Sequence, residues 1–196
     1  MNLTEMRARV REDLQDTVPA DQHWTDDEID GALERTVMEY SLAAPIERID
    51  DVTTTLGDTE LDISGLADLV KVASVEFPIG LPRPQYQRFH HWAGRLFMAD
   101  QGNGNDARVK WLQKHTLTPA GTTVPAEHQE ILVLGATGYL AMSAAARVVD
   151  RAVIAGRWGT ISFRAWGKER LARYDARMKS VSHNRRIIGR RLYSEE

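Results

Sequence analysis

His90 and His91, followed by Trp92, are the side chains of this sequence best equipped to ligate a metal ion. On a strand, neighbouring residues point to opposite faces, so the pair cannot both reach one ion, and no carboxylate–histidine spacing of the zinc type accompanies them. No metal is expected. Gly102-Asn103-Gly104 has the composition of a phosphate cradle but lies between two strand patterns rather than between a strand and a helix, so it reads as a turn. Gly135 to Gly138 falls inside a helical pattern, where no nucleotide loop forms. Two acidic clusters could supply paired carboxylates for proton transfer. Asp26-Asp27-Glu28 is taken up by a helix cap, and Asp50-Asp51 has no partner base or nucleophile in view. Serine, histidine and aspartate are all present without a nucleophile-elbow sequence. The expectation is a protein that is not an enzyme and takes no cofactor.

The C-terminal stretch carries a different chemistry. Arg185, Arg186, Ile187, Ile188, Arg190, Arg191, Leu192 and Tyr193 alternate cationic and apolar side chains around Gly189. A solvated tail needs only the charges. The apolar anchors among them are what a segment that folds on a partner requires. Extended, the fifteen residues from Ser182 to Glu196 reach roughly 50 Å.

These residues sit in a chain of 196 with ordinary hydrophobic and charged fractions, enough for one domain or one domain with a sizeable insertion. The absence of cysteine excludes disulfides and thiolate metal sites. The charged start MNLTEMRARVRED has no apolar core of a secretory signal. The most apolar run, Ile131 to Ala146, is too short and too rich in small residues to span a membrane, and no membrane partner is expected. Net charge is −3, but residues 1–80 hold 6 basic and 19 acidic side chains, whereas residues 81–196 hold 19 basic and 9 acidic. Such segregation suits copies that pack side by side, or one face for each of two partners.

The elements that position these groups follow from periodicity. Leu3, Met6, Val10 and Leu14 form the stripe of a first helix over about 2–16, with Arg7, Arg9, Arg11, Glu12 and Asp13 between them, Asn2 and Glu5 as its capping pair, and Val18-Pro19 ending it. Thr25 and Glu28 form a capping box for a second helix over about 26–44, with Trp24 and Ile29 as its staple and Ile29, Leu33, Val37 and Tyr40 as its inward stripe. Pro45 closes it. From about 46 to 120 the period changes to that of four to six short antiparallel strands, including a hairpin around Ala93-Gly94. Lys71, Ala73, Val75 and Phe77 alternate with Val70, Val72, Ser74 and Glu76. A third helix opens at Pro125, with Thr122 or Thr123 as candidate cap, and runs to about 155, where Gly156 suits the position after its end. Its small residues from Gly135 to Ala146 predict a close neighbour. Thr160 or Ser162 caps a fourth helix over 162–181 whose stripe is Phe163, Trp166, Leu171, Tyr174, Met178 and Val181. The fold class expected is mainly α with a β insertion (α+β): a four-helix core in one domain, 1–181, interrupted by a small antiparallel β-rich insertion and followed by an extended arm, 182–196.

The opening MNLTEMRARVREDLQD, the WTDDEID start of the second helix and the following EYSLAAP resemble the head-to-tail adaptor (connector) proteins of tailed bacteriophages. So do the strand Leu61-Asp62-Ile63-Ser64, the segment VASVEFP from Val72 to Pro78 and the Pro125-Ala126-Glu127-His128 start of the third helix. The resemblance covers most of the chain in the order and type of its elements, and its motifs are structural rather than chemical. It implies a ring of twelve copies in the virion neck, made in the host cytoplasm and seated beneath the portal protein. The other face meets a stopper or tail protein, and genomic DNA passes through the channel without sequence-specific binding. The portal-docking arm would be Ser182 to Glu196, its apolar residues anchoring and its arginines pairing with acids of the portal. The acidic first half would suit the channel wall, where like charge keeps DNA from adhering. A stopper or tail-completion ring protein and a nucleic-acid-binding packaging factor are the alternatives.

Overall fold

Both capping boxes of the N-terminal half form as their spacing dictates. The computed structural model describes residues 1–150 and 163–188. In helix α1 (Leu3–Asp13), the Glu5 amide donates to Asn2 Oδ1 at 2.9 Å and the Asn2 amide donates to Glu5 Oε2 at 2.8 Å. In helix α2 (Asp26–Ala43), the Thr25 amide donates to Glu28 Oε2 at 3.0 Å and the Glu28 amide to Thr25 Oγ1 at 3.3 Å. Trp24 and Ile29 are both buried, as a staple requires, and so are Leu33, Val37 and Tyr40.

The first helix stops earlier than its apolar stripe predicts. Leu14 is its cap, and Gln15 takes a left-handed φ of 54°. The Gln15 amide then donates to Glu12 O and the Asp16 amide to Arg11 O, the paired bonds of a Schellman ending. A second departure is Arg11, which the pattern places among the polar residues and the structure buries. It donates to Asp16 Oδ2 at 2.6 Å, to Trp24 O at 3.0 Å and to Asp26 Oδ1 at 2.7 Å. Arg7 beside it grips Asp30 with two bonds and Asp26 with a third. The acidic run at the start of α2 therefore does more than cap a helix: it receives two arginines of α1.

Helix α3 begins later than predicted. Pro125 is extended, with ψ of 142°; a 3-10 turn, Ala126–His128, follows, and α3 covers Gln129–Asp150. Thr122 and Thr123 are not its caps, because both are used by a hairpin, β8 (Leu117–Thr118) with β9 (Gly121–Thr122). Thr122 donates to Thr116 O at 2.8 Å, and Thr123 Oγ1 accepts from the Thr116 amide at 2.8 Å. The expected end of this helix near 155, Gly156, and the candidate caps Thr160 and Ser162 lie outside the described residues. Helix α4 (Phe163–Ile188) outruns its predicted end at Val181 by two turns, so the start of the expected extended arm is helical.

The small residues of α3 have the neighbour they predict. A Cβ on Gly135 would lie 2.7 Å from Thr36 of α2 and 2.8 Å from the Tyr174 ring of α4, and one on Gly138 would lie 2.9 Å from Leu171. Gly167 of α4 in turn lies against Ala141 and Met142. Helix α3 is thus the central element, touching α1, α2 and α4, and Leu132, Val133, Ala136 and Leu140 bury its length. With Met6, Val10, Ile29, Leu33, Tyr40 and Tyr174 they form the core of a first compact unit, residues 1–44 with the chain from His115 onward.

The second unit, Pro45–Lys114, has its own core. Its seven strands exceed the number read from the sequence: β1 (Ile46–Thr53), β2 (Glu60–Asp62), β3 (Leu69–Glu76), β4 (Tyr86–Gln87), β5 (Phe89–Trp92), β6 (Arg95–Met98) and β7 (Asp106–Gln113). They pair in two antiparallel sheets, ordered β1-β7-β3-β4 and β2-β6-β5. Leu61, Leu96 and Met98 from one sheet, with Ile63 just past β2, meet Val72, Val75, Ala107, Val109 and Trp111 from the other. Strict alternation along β3 predicts Val72 and Val75 on opposite faces, yet both are buried. Register shifts between Leu69 and Lys71 and between Val72 and Ser74 re-aim the strand, as bulges do. The hairpin at Ala93-Gly94 forms as predicted, both residues having positive φ (49° and 74°) as its two-residue turn demands. The fold is α+β, four helices with antiparallel sheets among the described residues.

Candidate functional site

The residues singled out for metal or phosphate chemistry are placed apart. His90 pairs across its hairpin with Phe97 and His91 with Leu96, so the two imidazoles belong to opposite faces of β5, both exposed. Among the described residues no cluster of three or more histidine, aspartate or glutamate side chains could hold an ion. The glycine loop is a brace. Gly102 exchanges backbone bonds with Gly57 and Asp58, and a Cβ on it would fall 2.4 Å from Thr55 O. Asn103 Oδ1 accepts from the Asn105 amide at 3.0 Å, closing the turn.

Asp50 and Asp51 do have partners, which the sequence pattern does not reveal. Trp111 Nε1 donates to Asp50 at 2.6 Å, and Arg108 pairs with both oxygens of Asp51. The hydrogen bond from Arg108 holds the Asp51 carboxyl below the ordinary carboxylate range. Ile49, Asp50, Asp51, Glu76, Arg108 and Lys110 line a shallow depression of about 460 Å³ on the larger sheet. Its charges come as a cross-strand row in which Arg108 stands opposite Asp51 on one side and Glu76 on the other. Lys110 donates to Tyr86 Oη at 3.1 Å and lies over its ring. The face offers mixed charge, with Arg108 paired to Asp51, and exposed Ile49 and Tyr86 for contact.

A second polar cluster escapes sequence reading altogether. Tyr139 of α3 donates to both oxygens of Glu39 on α2 (2.9 and 2.8 Å), and Tyr174 of α4 donates to Glu39 Oε2 at 3.0 Å. Arg35 pairs with the same carboxylate and lies 3.8 Å above the Tyr139 ring. One glutamate thus ties three helices. Burial first, and then the hydrogen bond to Glu39, push the Tyr139 hydroxyl up to about 12. Burial and then the Glu39 charge raise Tyr174 too. Below about pH 10 both tyrosines are neutral in the folded and the unfolded chain, so their contribution is whole there. Above that the unfolded chain ionises first, and the helical unit loses stability until the pH has passed through the folded values. Urea unfolding followed by circular dichroism between pH 8 and about 12 is expected to show this fall, and a Tyr139→Phe, Tyr174→Phe chain a shallower one; equal slopes would refute the assignment.

Of the predicted arm, Arg185, Arg186, Ile187 and Ile188 lie on the last turns of α4 rather than in extended chain. Arg190, Arg191, Leu192 and Tyr193 lie outside the described residues. No helix of the described residues is long and apolar enough to cross a membrane.

No family model matches the chain, and no curated protein sequence does. Among solved structures it is similar to a chain of the "Neck of native GTA particle computed with C12 symmetry", at 9% identity and a TM-score of 0.30, over 84% of this chain and 86% of that one.

Proposed function

We propose that this chain is a structural component of a virion neck: a head-to-tail adaptor that assembles as a ring, docks on the portal protein through its C-terminal segment, and presents another surface to a stopper or tail protein. It works by fitting, not by turnover; DNA passes its ring without being read. The observation that carries the reading is the architecture. A capped helix pair, an antiparallel insert between α2 and α3, and two further helices run into an arginine-rich end. That is the arrangement implied by the sequence segments that resemble the adaptor family. Carboxylates committed to arginine, tryptophan and tyrosine suit a part made for contact.

The boundary of the arm moves with the structure. Val181 is buried, whereas the eight basic side chains of α4 include Arg185 and Arg186 near its end. A chain ending at Ser182 is therefore expected to keep the circular dichroism and unfolding of the full chain and to lose co-sedimentation with portal rings. Unchanged co-sedimentation would end the portal-docking role. The packaging-factor alternative predicts instead that the full chain binds duplex DNA with an affinity falling steeply with salt.

A further inference from the structure

The outer faces of α2 and α4 are complementary, and neither is covered by the described residues. Thr36 and Tyr174 both point at Gly135 of α3. Residues two positions away on a helix lie about 200° around it, so Glu34 and Met38 on α2, and Ala176 on α4, face away from the core. Met38 is 58% exposed and Leu42, one turn on, 65%. Two large apolar side chains one turn apart make a ridge that water solvates poorly. Exposed Ala176, by contrast, leaves a low place on the outer side of α4.

Charge points the same way. Helix α2 carries six acidic residues and one basic; α4 carries eight basic and two acidic. Part of this is neutralised at home: Asp26 and Asp30 by arginines of α1, Glu39 by Arg35, and Arg170 by Asp13. What remains is exposed and of opposite sign. Glu34 on α2, and Lys168 and Lys179 on α4, are exposed and have no ion partner among the described residues. An acidic face with an apolar ridge on one helix meets a basic face with a low alanine only if a different copy supplies the second helix.

We infer that α2 of one copy docks on α4 of the next, the Met38 and Leu42 ridge lying over Ala176 between flanking lysines that take up Glu34. The two surfaces are different patches of the same chain, and the inferred contact is head-to-tail, each copy offering α2 to one neighbour and α4 to the other. Repetition of it does not stop at a pair, and builds a ring where the rotation between copies closes. This rests on the ring reading proposed above and names the surface that would build it.

The chain contains no cysteine, so two can be placed cleanly. A Met38→Cys, Ala176→Cys chain treated with a short bis-maleimide, alone and on portal rings, is expected to give a ladder of dimers, trimers and higher species on a denaturing gel. Each single variant is expected to give about a tenth or less of that product, because a head-to-tail contact never brings like positions together. Dimers from a single variant in equal yield would show a two-fold contact and overturn the inference. So would cross-linking of position 38 to another virion protein in intact particles. No ladder where electron microscopy shows rings of the unmodified protein would put the contact elsewhere and leave the ring reading standing; no ladder and no rings would remove both.

Discussion

Replacing Arg11 by alanine is expected to destabilise the helical unit by about 3–5 kcal/mol, the range seen when one partner of a buried ion pair is deleted. The Asp16 side chain is 1% exposed and would lose its buried cation. It would keep only the amides of His23 at 2.7 Å and Trp24 at 3.4 Å. The same substitution frees the Trp24 carbonyl and one contact of Asp26. With a urea slope of about 1–3 kcal/mol per molar, the midpoint followed by circular dichroism at 222 nm should fall by about 1 M or more. Removing both members, as Arg11→Met with Asp16→Leu, should cost less than the single change, since no charge is then stranded. A loss under about 1 kcal/mol for Arg11→Ala would mean that water reaches Asp16 and that the pair is superficial.

Gly135→Leu is the second large effect expected, at or above the ~3 kcal/mol upper end of overpacking. Helix propensity alone favours the change by about 1 kcal/mol, so the sign tests packing against local preference. Even the first carbon would meet Thr36 and both atoms of the Tyr174 ring edge at 2.7–2.9 Å, with α2 on one side and α4 on the other. The same measurement at Gly31, where a Cβ meets nothing within 4 Å, should show Gly31→Ala neutral or stabilising. Equal behaviour at the two glycines would argue against the close approach of α3 to its neighbours.

What was legible in the sequence was what is decided within a few residues. Asn2 with Glu5 and Thr25 with Glu28 find each other across one turn, and Ala93-Gly94 sets its hairpin alone. The small residues of α3 announced a neighbour without saying which one. Longer distances were opaque. Nothing near Asp51 points to Arg108, 57 positions on, and Glu39 meets tyrosines 100 and 135 positions away. The bulges of β3 exchange faces that alternation assigns, because pairing with β7 decides them. Ser182-His183-Asn184 are poor helix formers, yet α4 continues through them to Ile188, so context set the boundary that propensity placed at Val181. Arg11 was read as surface because its partners arrive from beyond the end of its own helix.

The sheet unit opens and closes on one pair of residues, Ile46 standing opposite Gln113 in adjoining strands. The helical unit meets itself just as tightly where the chain departs and returns: the His115 amide donates to Ser41 Oγ at 2.9 Å, and its ring nitrogen lies 2.9 Å from Ala44 O. A bridge of a few residues would span that gap. The seventy intervening positions, Pro45 to Lys114, thus behave as a cassette. A lineage can exchange what it displays at this point, or dispense with it, without disturbing the register of the four helices.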